Sequence, residues 1–367
     1  MEPDCQGVIA GRIRQSGPIT VAEFMDLALY APDAGYYARA SQRSGRAGDF
    51  VTSVDVSPLF GELLSIQFGE FWRTLGSGPC RLVEAGAGNG RLARDVLDAA
   101  ARRDPDFHQA VSLHLVERSA AARAAQRQTL GPHAHMIAGS TPDLPGAVTG
   151  ILYANELIDA FPVHLVTMTG DGLREVFVDL EGEGFIERTG APSTARLGQY
   201  FDDLGIALEP GARAEVNLAA VDWIRQAAAS LERGFVVLID YGYQARTLYG
   251  DPDGVETLTA FARQMADPPG GGRRGTPSWL VAPGTRDLTS HVDFTTLRRE
   301  AAAAGLTPLG MVSQSRFLLD LVERGGLAEA LSGEDRLRDR LALKSLLVPG
   351  GLGSSHTVLV FAKDVRV

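Results

Sequence analysis

The residues best suited to chemistry lie in the run Arg81-Leu-Val-Glu84-Ala-Gly86-Ala-Gly88-Asn-Gly90. A short apolar stretch ends in an acid, three glycines follow at alternate positions, and a helix-forming run, Arg91 to Arg103, comes next. Strand, tight turn and helix in that order let a backbone approach a ligand closely, because glycine lacks a Cβ and takes positive φ. Dinucleotide folds space their glycines as G-x-G-x-x-G and seat a pyrophosphate on the helix N-terminus. Here Glu84 stands ahead of Gly86, Gly88 and Gly90, and an acid at that point repels a pyrophosphate and attracts an amino group. The pattern favours a cationic ligand with an amino-acid end, for which S-adenosyl-L-methionine (SAM) is the obvious candidate. A glycine-rich strand-to-helix turn without any ligand is the plainer alternative.

A second acid, Glu117, ends the apolar run Ser112–Val116. In doubly wound folds an acid after the second strand accepts hydrogen bonds from ribose hydroxyls; otherwise Glu117 is a solvated strand-end residue. Further on, Ile151-Leu-Tyr-Ala154 reads as a strand, followed by Asn155-Glu156-Leu-Ile-Asp159-Ala-Phe-Pro162. Open parallel sheets bind ligands at the carboxyl ends of their strands, so Glu84, Glu117, Asn155 and Asp240 are expected to gather there. Glu156 and Asp159 are three residues apart, and a helical turn would put them on one face. Two carboxylates so placed suit a guanidinium, which they could hold in bidentate fashion and relieve of a proton during attack. The alternative is that Asp159 caps a turn and Glu156 is simply exposed. His291, in His291-Val-Asp293-Phe294, either acts as a base or orients an acceptor, or packs beside a helix start capped by Ser290 or Asp293.

The elements that must position these residues repeat as strand and helix. Strands are expected near 81–85, 112–116, 134–138, 151–154, 234–240, 309–313 and 356–362, and helices over Arg91–Arg103, Val221–Leu231 and Phe294–Ala304. That alternation implies an α/β fold with a parallel, doubly wound, Rossmann-like sheet. Ahead of it, residues 1–75 read as a helical cap. Thr20-Val-Ala-Glu23 is a capping box, and Ser57-Pro58 an N-cap followed by N1 of a second helix. Residues 76–367 then form the core, with insertions near 165–215, read as a hairpin, and near 243–290, where the α/β pattern breaks. Asp267-Pro-Pro-Gly-Gly-Gly-Arg-Arg-Gly275 is a flexible loop by composition.

Composition narrows the partners. The 367 residues are 45% hydrophobic and 22% charged, enough for a sizeable core. The net charge of −10, without a basic run, argues against nucleic acid but is compatible with a basic peptide or protein. The two cysteines, Cys5 and Cys80, form no disulfide or metal framework, and His133 and His135 lack carboxylate or cysteine partners at ligand spacing, so no metal site is expected. No apolar run reaches a membrane span, and the N-terminus has neither signal-peptide nor presequence character, which suggests a cytoplasmic protein without membrane contacts, a monomer or homodimer.

In order along the chain stand Gly17-Pro-Ile-Thr-Val-Ala-Glu-Phe-Met25, Gly35-Tyr-Tyr37, Gly48-Asp-Phe-Val-Thr-Ser53, Phe60-Gly-Glu-Leu-Leu64, the Glu84–Gly90 turn, Asn155-Glu156 with Asp159-Ala-Phe-Pro162, Asp240-Tyr-Gly242 and Asp287-Leu-Thr-Ser-His291-Val-Asp-Phe294. Together these motifs resemble the MidA-like family of SAM-dependent methyltransferases, which includes a protein arginine methyltransferase of mitochondrial complex I assembly. The resemblance spans about residues 10 to 320. It implies a class I methyltransferase core with an added helical part. By it, Gly48–Ser53, including Thr52 and Ser53, would close over the cofactor, while Glu84, Gly86, Gly88, Gly90 and Glu117 would bind it; Asn155 lies with them at the strand ends. It implies an arginine of a protein partner as acceptor. A small-molecule N- or O-acceptor, or a non-catalytic SAM-binding assembly role, are the alternatives. Departures fall at 264–280, at His135–Ser140 and at Leu352–His356, so they concentrate away from the cofactor motifs.

Overall fold

Continuous apolar runs such as Phe235-Val-Val-Leu-Ile239, each residue at most 2% exposed, can only be strands covered on both faces. The computed structural model that carries them describes residues 4–38, 52–250, 256–262, 265–266, 276–327, 337–347 and 356–366. Gly48–Val51, Asp267–Gly275 and Leu352–Ser355, named above, lie outside the described residues. The chain divides into two compact units. A glycine-turn unit comprises residues 41–157, 224–241 and 301–367, and an N-terminal unit comprises 1–40, 158–223 and 242–300.

The glycine-turn unit is built on β1 (Cys80–Ala85), β2 (Val111–Val116), β3 (Ile137–Thr141), β4 (Val148–Asn155), β5 (Leu231–Tyr243, whose last two residues belong to the other unit), β6 (Thr307–Ser313) and β7 (His356–Lys363). Their order is β6-β7-β5-β4-β1-β2-β3. β3, β2, β1, β4 and β5 are parallel. β7 runs antiparallel to both β5 and β6, so the sheet is mostly rather than wholly parallel. Among the described residues between β6 and β7 are the helices Gln314–Arg324 and Leu337–Leu347.

Helix α1 (Leu59–Thr74) buries Leu59, Phe60, Leu63, Leu64, Phe68 and Phe71, and α2 (Arg91–Arg103) buries Leu92, Ala93, Val96, Leu97 and Ala100. They meet at Gly61, where a Cβ would come within 2.6 Å of the Asp95 Cβ, so the glycine sets how closely the helices approach. Phe71 stacks on Phe235 of β5 at a centroid distance of 3.9 Å. Several expected boundaries shift. Pro58 is the N-cap residue of α1, with Ser57 Oγ accepting from the Leu59 N–H at 3.2 Å, rather than Ser57 being the cap and Pro58 the first turn. The strand expected at 134–138 begins only at Ile137, because Pro132 opens a 3₁₀ stretch over Gly131–Met136. Helices α3 (Ala120–Leu130) and α4 (Gln314–Arg324) belong to the same unit.

In the N-terminal unit, Thr20 Oγ1 accepts from the Glu23 N–H at 3.1 Å, as the capping pattern requires, and opens a helix over Val21–Tyr30. The insertion expected as a hairpin is larger. His164–Thr169, Gly172–Glu181 and Gly184–Gly190 form an antiparallel meander; Arg213–Val216 pairs with the first of these strands and Ile19–Thr20 with the second. Leu197, Tyr200, Phe201, Val216 and Leu248 belong to the apolar core of this unit. The broken pattern after residue 243 contains a small sheet of Thr259–Ala262 between Met265–Ala266 and Asp287–Thr289.

Candidate cofactor site of the glycine turn

Parallel register aligns Ala85 with Val116 and with Ala154, so the turns after β1, β2 and β4 leave the sheet at one edge. Gly86 and Ala87 N–H groups both reach the Val116 carbonyl at 3.0 Å, folding the turn back across β2. Gly88 takes φ +50°, and a Cβ there would meet no atom of the described residues within 4 Å. Gly90 takes φ +87° as the cap of α2, and its Cβ would fall 2.6 Å from Leu130 Cδ2. The two glycines therefore answer different needs: Gly90 makes room for α3, while Gly88 borders open space.

Glu117 ties the second acid to the turn. Its Oε2 accepts from the Gly88 N–H at 2.9 Å and its Oε1 from the Ser119 N–H at 2.7 Å. Burial pushes this carboxyl up, against those two amides. A carboxylate has about four acceptor sites, so lone pairs remain for hydroxyl donors. Gln126 donates to the Gly88 carbonyl at 2.9 Å. Sequence reasoning missed Gln126, although a polar residue on the buried stripe Ala122, Gln126, Leu130 is a visible signal.

Glu84 is only 4% exposed and faces protein donors. Its Oε2 accepts from the Ala93 N–H at 3.1 Å and from the Tyr153 hydroxyl at 3.0 Å. Burial raises its pKa to about 8.

Glu156 and Asp159 do not share a helical face. Glu156 sits at φ +49° in an irregular turn. Its N–H goes to the Ile239 carbonyl at 2.8 Å, and the Leu157 N–H to Asp240 Oδ2 at 3.2 Å. These bonds bind the backbone to β5, and the left-handed φ of Glu156 rules out a right-handed helical turn from Glu156 to Asp159. Glu156 Oε1 accepts from the Ser53 N–H at 3.0 Å and the Asn155 Nδ2 at 3.1 Å, and His356 Nε2 lies 3.6 Å away. The segment Ser53–Val56 is thus held on the carboxylate. Thr52 N–H and Oγ1 both reach Asp55 Oδ2, at 3.0 and 2.9 Å, and Asp55 pairs with Arg91 at the start of α2. Arg91 and His356 are contacts that the sequence did not single out.

Asp159 and His291 belong to the N-terminal unit. Asp159 is 6% exposed, and its carbonyl accepts from the Ser290 N–H at 2.9 Å, which lays the His291 segment beside it. Asp293 Oδ1 accepts from Thr295 and Thr296 N–H groups at 2.9 and 3.2 Å, so Asp293 is the cap of the helix Phe294–Ala303. The His291 ring lies 5.3 Å from that of Tyr243, and burial lowers its pKa. Among the described residues no group of three or more histidine, cysteine, aspartate or glutamate side chains could hold a metal, and no helix is long and apolar enough to cross a membrane.

Two features fit SAM: the open side of Gly88, and Asn155 Oδ1, buried without a partner among the described residues. Residues 63–312 match a family of S-adenosyl-L-methionine-dependent methyltransferases. The chain belongs to this methyltransferase family. It is 32% identical over 366 residues to a Drosophila melanogaster protein named protein arginine methyltransferase NDUFAF7 homolog, mitochondrial, covering 91% of this chain and 76% of that one. It is 32% identical to the Homo sapiens protein arginine methyltransferase NDUFAF7, mitochondrial, covering 84% and 71%. The crystal structure of a Burkholderia thailandensis protein bound to S-adenosyl-homocysteine superposes with a TM-score of 0.86 at 29% identity, over 99% of this chain and 92% of that one. The methyltransferase is a SAM-dependent enzyme with the α/β fold that the motifs implied. The cytoplasmic expectation is overturned, since these relatives are named as mitochondrial proteins. That expectation rests on the missing membrane-length run and on the character of the N-terminal residues, and neither specifies an address.

Proposed function

We propose that this methyltransferase transfers a methyl group to a guanidinium nitrogen of an arginine in a protein partner. The observation that carries the methyl-transfer part is the bond between Glu117 and the Gly88 N–H, which joins the strand-end acid to the open glycine turn. The names of the relatives support the arginine, and the net charge of −10 favours a basic partner. Bound SAM supplies the electrophilic methyl. In this reading Gly88 lets the backbone pass close to it, Gly86 and Gly90 make room for Leu157 and Leu130, Glu117 takes ribose hydroxyls on its spare lone pairs, and Glu84 holds the start of α2 through Ala93. Thr52 and Ser53, anchored on Asp55 and Glu156, line the cofactor side with Asn155.

Glu156 is therefore assigned first to holding the Ser53 turn, and Asp159 and His291 are the residues proposed to receive a proton from the acceptor. A guanidinium must shed a proton as its nitrogen is methylated, and a buried carboxylate or a neutral imidazole can receive it. Burial keeps His291 neutral at pH 7. Asp159→Asn is expected to lower turnover at least about tenfold, a loss of roughly 1.4 kcal/mol of transition-state stabilisation, with SAM affinity within about twofold by calorimetry. An equal loss of SAM affinity would move Asp159 to the cofactor side. Transfer of label from SAM to an extract, read by mass spectrometry, tests the acceptor. Label on an arginine of a protein supports the proposal, and label confined to small molecules overturns it.

A further inference from the structure

We propose that Gln314, the first residue of α4, seats the carboxylate of the amino-acid end of SAM, with Asn155 and Glu156 facing its ammonium. The inference rests on the cofactor reading above and assigns a residue that none of the glycine-turn motifs contains.

Four residues form one hydrogen-bonded run. Gln314 Oε1 accepts from Ser53 Oγ at 3.2 Å, the Ser53 N–H donates to Glu156 Oε1 at 3.0 Å, and Asn155 Nδ2 donates to the same oxygen at 3.1 Å. Gln314 and Ser53 are both 0% exposed. At each end of the run an amide is left half used: Gln314 Nε2 and Asn155 Oδ1 are buried and have no partner among the described residues. Buried amides are rarely left so, since an unmet donor or acceptor forfeits its water without return.

The two orphans are of opposite kind, and their orientation can be argued. Turning the Asn155 amide over would set its carbonyl oxygen against the Glu156 carboxylate, so its free atom is the acceptor. The Ser53 hydroxyl can donate or accept, so the Gln314 amide is free to show either end. An acceptor beside a carboxylate suits an ammonium group, and a donor NH₂ at the other end of the run suits a carboxylate. One ligand fragment carries both charges on a single carbon, an α-amino acid. The run also contains Asn155 at the end of β4, on the sheet edge where the glycine turn leaves β1, so the fragment and the turn fit one molecule.

The test uses two nucleosides that differ in this fragment. S-adenosyl-homocysteine carries the amino-acid end and 5′-methylthioadenosine lacks it. Calorimetry on the full chain should show Gln314→Leu weakening S-adenosyl-homocysteine about tenfold while methylthioadenosine stays within about twofold. If the leucine variant fails to fold, Gln314→Glu keeps the shape and turns a donor into a charge that repels the ligand carboxylate; the same selective loss is expected. Equal losses for both ligands would reduce Gln314 to a support for the Ser53 turn and overturn the proposal, as would no loss for either. Wild-type protein that binds neither ligand would overturn the cofactor reading itself.

Discussion

Single residues of the glycine turn separate ligand space from packing space. Gly88 and Gly90 both lie at positive φ, yet only Gly90 has a neighbour in the way. Asparagine tolerates the left-handed region at small cost. Gly88→Asn is thus expected to fold with a melting temperature near wild type and to lose SAM affinity by at least about tenfold, because its side chain enters the open space. Gly90→Asn should instead lose stability through the clash with Leu130. A folded Gly88→Asn protein with unchanged affinity would place the ligand elsewhere. Glu84 carries a pH dependence. Its pKa rises from 4.5 to about 8 on folding. The unfolded state therefore releases this proton first, and the wild type loses stability as pH climbs from about 5 to about 8. Glu84→Gln cannot titrate, so its melting temperature should gain on the wild type across that range. A constant gap between the two would show that Glu84 is ionised in the fold. Ligand-facing glycines are legible in a sequence because spacing alone marks them. Gln314 and His356 were not, since each acts on a residue hundreds of positions away.

At the scale of elements, local chemistry decided most boundaries. Thr20 is the cap of Val21–Tyr30, and its removal is the cleanest probe of that helix. Thr20→Ala should cost about 1 kcal/mol in a denaturant titration, the usual value of an N-cap bond; no measurable change would mean that packing of Phe24, Met25 and Leu29 alone holds the helix. The strands β1, β2, β4 and β5 and the helix α2 could all be read from periodicity, whereas the meander after residue 163 reads only as a hairpin. What could not be read was pairing. The sequence of β7 alternates no differently from a parallel edge strand, and its antiparallel place between β5 and β6 depends on contacts from remote positions. The helical turn expected over Glu156–Asp159 failed for the same reason: three-residue spacing is a local signal, and Glu156, bonded through its N–H to β5, takes a left-handed φ of +49° outside the helical region. Asp159 and Glu156 then fall into different units, so a paired role for them has no support in their spacing.

At the scale of the whole molecule, the order of strands and the order of the chain diverge. β7 comes last in sequence but lies inside the sheet. Deleting residues 356–367 would bare the backbone edges of β5 and β6, which invites pairing with other chains. Such a truncation is expected to express mainly as aggregate, whereas wild type elutes as a discrete species in gel filtration; a soluble, discrete truncated protein would show that β6 can pair with β5 directly. A related consequence concerns synthesis. The N-terminal unit is assembled from residues 1–40, 158–223 and 242–300. On the ribosome its first stretch emerges well before the others, and the apolar side of Val21–Tyr30 must wait, uncovered, while the strands of the other unit are translated. Folding of this chain cannot simply follow the order in which it is made. Holding chaperones, or a pause in translation after residue 300, would bear on its yield more than on its final stability.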